Sequence, residues 1–157
     1  MTDRARRIVE AFFAAYGSRD PAGVAALVSD DIEWRVTGPV EVMSFCGHWR
    51  GKLAVMRMLK EFVPGVFEER TMVNEELLLD GDRAAAIAKL TGIQRNTRRV
   101  ISYSLAHFIR LEGDQIVTIR TLVDSLNAAE QLLGHALDLS RTGELAWLEA
   151  EGDLVAV

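Results

Sequence analysis

RRVISYSLAHFIRLEGDQIVTIRTLVD, residues 98–124, is the stretch that decides the fold. Apolar residues recur at every second position on either side of Glu112-Gly113-Asp114, the pattern of strands with one buried face. A turn this short joins the two runs as an antiparallel hairpin. The same alternation sets His107 among apolar neighbours in mid-strand. Burying an imidazole costs free energy unless it is hydrogen-bonded. His107 therefore marks either a ligand-facing position or a core histidine bonded to a nearby hydroxyl such as that of Tyr103 or Tyr16.

Working outward, segments 66–80 and 83–95 read as two further strands turning at Asp80-Gly81-Asp82. With 98–111 and 115–123 they make a four-stranded antiparallel meander. The N-terminal third is helical: Ile8, Phe12 and Tyr16 step by four, flanked by Ala5, Val9 and Phe13, which predicts a helix over 3–17. Asp20-Pro21 is an N-cap followed by proline at the first helical position. The short second helix it starts turns Val24, Leu27 and Val28 inward and stops at Ser29-Asp30-Asp31. Ile32, Trp34 and Val36 alternate with polar residues as a strand. Residues 38–51 are irregular yet carry Val42, Met43, Phe45 and Trp49, so this segment is expected to fold over the core. A third helix is predicted over 52–63, ended by Pro64-Gly65. Asn127 to Glu130 resembles a capped helix start, giving a helix over about 128–138, and 142–151 reads as one more short helix. The expected organisation is a single domain over 1–138 with residues 139–157 as its helical extension.

The formal charge is −5, with 49% hydrophobic and 26% charged residues, an ordinary soluble composition. No basic face suits a nucleic-acid backbone, and the Arg95–Arg99 cluster sits at a turn where solvation explains it. No apolar run reaches the roughly 18 residues of a membrane span. The N-terminus lacks a signal-like apolar core. Cys46 is the single cysteine, so no intrachain disulfide forms, and a reducing cytoplasmic setting is expected. His48, His107 and His135 fall on different elements without metal-ligand spacing. No phosphate-binding glycine loop and no nucleophile elbow is present, so neither a metal nor a cofactor is expected.

Helices gathered on one face of a bent antiparallel sheet define an α+β architecture. The expected shape is a cone-shaped curved sheet wrapped around the N-terminal helices, with an apolar pocket between. The chain here resembles the nuclear-transport-factor-2-like superfamily, in its SnoaL-like and ketosteroid-isomerase-like branch. The resemblance rests on AFFAAYGSRDPAGVAALVSDDIEW (11–34), GHWRGKLAVMRML (47–59) and FIRLEGDQIVTIRTLVD (108–124), and covers roughly residues 5–135. It implies small-molecule chemistry without a cofactor, yet a fold shared by isomerases, cyclases, dehydratases and non-catalytic binders does not choose among them.

The resemblance also bears on particular residues. Thr121 stands where cyclases and epoxide hydrolases of this type carry an acid–base aspartate. Val36 and Phe12 stand near the steroid isomerases' proton-shuttling aspartate and oxyanion-binding tyrosine, so those mechanisms do not carry over. His107 aligns with the isomerases' protonated aspartate, which implies a hydrogen-bond donor or an acid–base group. Tyr103 and Tyr16 are candidate partners in catalysis or plain core tyrosines. The resemblance places Val117, Ile119, Thr121 and Val123 on the cavity side of the last strand, leaving Ile116 and Leu122 on the outer side. Trp34, Val36, Phe45 and Trp49 complete an apolar lining for a small hydrophobic molecule. Lys89 is either a pocket base or an outer-face lysine. Asp124 is read as a helix-start residue, His48 as a lid or surface residue, and His135 as solvated. Three readings follow: an isomerase, cyclase or dehydratase acting on an apolar carbonyl or polyketide-like compound; a non-catalytic binder of such a ligand; and an interaction domain. A homodimer through the outer sheet face is expected in each case.

Overall fold

Alternation and two glycine turns account for most of the sheet. In the computed structural model, which describes residues 2–138, β3 (Phe67–Asp80), β4 (Arg83–Gln94), β5 (Val100–Glu112) and β6 (Gln115–Val123) run as the expected meander. Gly81 and Gly113 hold the two tight turns at φ of 57° and 58°, a left-handed backbone that glycine adopts without a Cβ clash. β1 (Val28–Thr37) and β2 (Gly47–Arg50) extend the sheet, whose strand order is β2-β1-β6-β5-β4-β3. β1 lies parallel to β6 while every other pair is antiparallel. The sheet is curved and does not close.

Helix α1 (Thr2–Gly17) packs Val9, Phe12, Phe13 and Tyr16 into the core. Helix α2 (Pro21–Ala25) starts as its sequence predicts, with the Asp20 carboxylate accepting a hydrogen bond from the Gly23 amide at 3.0 Å. The apolar segment after β1 does fold inward, burying Met43, Phe45 and Cys46. Its last four residues form β2, which local pattern did not reveal. β1 also starts four residues earlier than alternation suggests, through the polar run Ser29-Asp30-Asp31.

The third helix differs most from expectation. α3 (Lys52–Arg57) passes into a π-helical turn (Met58–Phe62) and then α4 (Val63–Val66), so Pro64-Gly65 does not end it. Pro64 falls in this continuous helix directly after the π-helical turn, where the ordinary i to i−4 bonding is already interrupted. Helix α5 (Ser125–Leu133) begins with Asp124 at the N-cap and ends at Gly134 in the left-handed conformation, short of the expected 138. The extension over 139–157, with its expected helix at 142–151, lies outside the described residues.

Register irregularities decide which side chains face the helices. Between Arg110↔Thr118 and Leu111↔Ile116 the last strand carries an extra residue, Val117. Ile116 and Ile119 are therefore both fully buried although three positions apart. Ile116 is thus no part of the outer face, contrary to strict alternation. Two more irregularities in β3, between Phe67 and Glu69 and between Asn74 and Glu76, act alike; the first buries both Phe67 and Arg70. The outer face keeps Ile87, Phe108 and Leu122 substantially exposed, and register brings them together through Ile87↔Ala106↔Leu122 and the adjoining Ala85↔Phe108 row. No described helix is long and apolar enough to cross a membrane.

Candidate functional site

The pairing of β5, β6 and β1 builds the site. His107 lies opposite Thr121, which lies opposite Val36 on the parallel neighbour. The His107 Nδ1 is 2.8 Å from the Thr121 Oγ1, and the Trp34 indole N–H donates to that same oxygen at 2.9 Å. Thr121 thus supplies the hydroxyl expected from Tyr16 or Tyr103.

The directions of these bonds follow from their chemistry. An indole N–H can only donate, so Thr121 Oγ1 accepts from Trp34 and has one proton of its own to place. The acceptor within reach is His107 Nδ1. With Thr121 as the donor, the ring carries its hydrogen on Nε2, a fully buried atom with no hydrogen-bond partner. The relay runs from Trp34 through Thr121 to His107 and ends in an unused N–H donor.

Burial pushes the His107 pKa down to about 3, because a charged imidazolium would sit in an apolar shell. The Phe13 ring centroid is 5.5 Å from the imidazole, and the Tyr16 ring stands nearly perpendicular to it at 5.9 Å. Neutral near pH 7, His107 is suited to donating a hydrogen bond and is a poor base, which narrows the acid–base role expected from sequence. Tyr16 and Tyr103 are buried, and burial raises the pKa of each, most strongly at Tyr103. Burial also pushes the Cys46 thiol up to about 12. His107, Tyr16, Tyr103 and Cys46 are therefore all neutral hydrogen-bonding groups near pH 7.

Other candidate residues divide clearly. Trp34, Val36, Phe45, Ile119 and Thr121 are buried on the concave side, and Val123 is half-buried there. Trp49 faces the same way by its pairing with Trp34, but packs 4.8 Å from Phe62 and donates its indole N–H to the Phe45 carbonyl. Lys89 is exposed on the outer face, in register between Val73 and Ser104, so it is no pocket base. His48 is exposed on β2 and lies 3.2 Å from the Glu33 carboxylate, and His135 is exposed beyond α5. Among the described residues no cluster of three histidine, cysteine or acidic side chains gathers as metal ligands.

The Phe13 and Tyr16 rings pack against His107, where the sequence leads one to expect an apolar pocket. A cavity of about 60 Å³ lies nearby, between the end of α1, α2, the π-helical turn and the start of β3. Tyr16 lines this cavity and also contacts His107, so one ring separates the two. Arg70, which the sequence reading missed, lines the same cavity. Its guanidinium lies 4.5 Å over the Tyr16 ring and donates from Nη2 to the Tyr16 carbonyl at 3.0 Å. Simple alternation from Phe67 turns Arg70 outward, and no local signal announces the bulge that reverses it.

The SnoaL-like domain family matches residues 9–119. Solved structures agree over nearly their whole lengths. A candidate isomerase from Rhodopseudomonas palustris is 26% identical, over 84% of this chain and 97% of that one, with a TM-score of 0.71. An NTF2-like protein from Burkholderia xenovorans is 25% identical over 84% and 98%, with a TM-score of 0.70. One from Burkholderia pseudomallei, 20% identical over 82% and 97% with a TM-score of 0.75, shares the fold. No curated protein matches the chain. Matched from the middle of its first helix to the middle of its last strand, the chain belongs to the SnoaL-like domain family.

Proposed function

We propose that this protein is a cofactor-independent enzyme of the isomerase, cyclase or dehydratase type, acting on a small and mostly apolar carbonyl compound. The observation that carries the reading is the unpartnered Nε2–H of His107 at the end of the Trp34–Thr121–His107 relay. A neutral imidazole N–H in a dry site is a strong donor to a carbonyl oxygen that gains negative charge as an adjacent C–H bond breaks. The substrate approaches through the cavity beside Tyr16 and displaces that ring to reach His107. Two carboxylates line the mouth, Asp20 and Glu68, and are the candidate proton acceptors. The candidate isomerase from Rhodopseudomonas palustris supports this choice of reaction class. A reducing cytoplasm suits the free, buried Cys46.

One observation favours a second reading, a binding protein that holds such a ligand unchanged: His107, Tyr16, Tyr103 and Cys46 are all kept neutral by burial. Exchange of the α-protons of cyclohexanone and of a keto acid, 4-oxopentanoate, in D₂O, followed by proton NMR, separates the two. The enzyme accelerates exchange, and His107→Leu lowers that acceleration by about a hundredfold, the usual cost of removing an oxyanion donor. An unaccelerated wild type, or a His107→Leu variant as active as the wild type, overturns the enzymatic reading.

A further inference from the structure

We propose that Arg70 is the anion-binding group of this cavity and that the ligand carries a carboxylate. The inference deepens the reading above by naming the ligand's class, and it relies on that reading only for the existence of a small-molecule ligand.

Among the described residues, Arg70 is the one charged side chain in the buried set, at 7% exposure. Its Nη2 and the face of its guanidinium are used by the Tyr16 carbonyl and ring, but Nη1 is buried without an acceptor. None of the described carboxylates forms an ion pair with it: Glu68, which lines the same cavity, is paired with Arg98, and Asp20 caps α2. A buried cation lacking a counter-charge is among the most costly arrangements a fold can hold, and the remedy is an anion brought in from outside.

The fold makes room for this arrangement. Gly92 is the cross-strand partner of Arg70, and a Cβ there would come within 2.8 Å of the Phe67 ring and the Glu69 carbonyl. The cavity's 60 Å³ holds roughly four water-sized groups, enough for a carboxylate head. Val24, Leu59, Val63 and Phe67 offer the rest of the molecule an apolar wall. Asp20 and Glu68 at the mouth disfavour a dianion such as phosphate, so a monocarboxylate is the class that fits. A guanidinium recognises a carboxylate by short charge-assisted bonds that an amide cannot reproduce.

Titrations of the full chain with sodium propionate, propionamide and inorganic phosphate, followed by calorimetry or NMR shifts, test this. Propionate is expected to bind at least about tenfold more tightly than propionamide, as loss of a charged hydrogen bond requires, and more tightly than phosphate. Arg70→Met should erase the preference for the acid over the amide, and Arg70→Lys should keep part of it. Equal binding of acid and amide, no binding of either, tighter binding of phosphate, or undiminished propionate binding by Arg70→Met overturns the proposal. If Arg70→Met does not fold, the wild-type comparison and Arg70→Lys decide. His107→Leu is expected to keep the propionate preference, so the two readings fail separately. Absent α-proton exchange with intact acid selectivity sinks the enzyme alone, and the reverse pattern sinks the anion site alone.

Discussion

Acidification from pH 7 to pH 5 should cost this protein about 2 kcal/mol of stability through His107 alone. Its folded pKa is pushed to about 3 by burial, while the unfolded chain's imidazole titrates near 6.5. The unfolded state therefore takes up a proton first as pH falls, and stability declines with it. The contribution is fully present above about pH 6.5, is lost progressively below that, and levels off beneath about pH 3. Linkage between those two values gives a loss of about 2 kcal/mol at pH 5 and about 3 kcal/mol at pH 4. Urea unfolding of the wild type and of His107→Leu at pH 7, 6, 5 and 4 isolates the effect, because the carboxylates titrate alike in both proteins and cancel on subtraction. Loss of the acceptor for the Thr121 proton shifts the variant's stability by an amount independent of pH. The wild-type curve should fall toward the variant's as pH drops. Parallel curves, within about 0.5 kcal/mol over this range, would refute the assignment of His107 as a dry, neutral group.

Thr121→Val keeps the shape of the side chain but strands the Trp34 N–H and the His107 Nδ1 at once. At about 1–3 kcal/mol for each unsatisfied buried group, a net destabilisation of about 3 kcal/mol is expected from urea midpoints, and a neutral substitution would dismiss the relay. Light scattering at micromolar concentration should give about twice the 17.4 kDa chain mass, with Phe108→Arg reverting to one chain; a monomeric wild type would remove the outer face as an interface.

Elements whose cause is local were readable from sequence. The step-of-four apolar stripe of α1, the Asp20-Pro21 start of α2 and the glycine turns at 81 and 113 each depend on neighbours a few residues away. The inward set Trp34, Val36, Ile119 and Thr121 follows from period two once β1 and β6 are recognised. His107 stood out because an imidazole interrupts an apolar run. Elements whose cause is distant were not readable. β2 exists because β1 offers it an edge, and β1 starts early because Val28 pairs with Ile116 of β6 ahead of a register irregularity, not because of propensity. The helix passes through Pro64 because a π-helical turn precedes it.

By itself, then, the order of residues determined the helix-then-meander plan and the inward placement of His107 among apolar neighbours. Tertiary structure alone decided what those residues do. A parallel strand brings Trp34 to Thr121 across 87 positions of chain, and the hydroxyl between them sets which imidazole nitrogen carries the proton. A bulge of one residue turns Arg70 from solvent into the core, where low dielectric makes its unpaired charge matter. Periodicity specifies a face only while register is unbroken; each bulge reverses it, and the packing that selects a bulge comes from segments far along the chain.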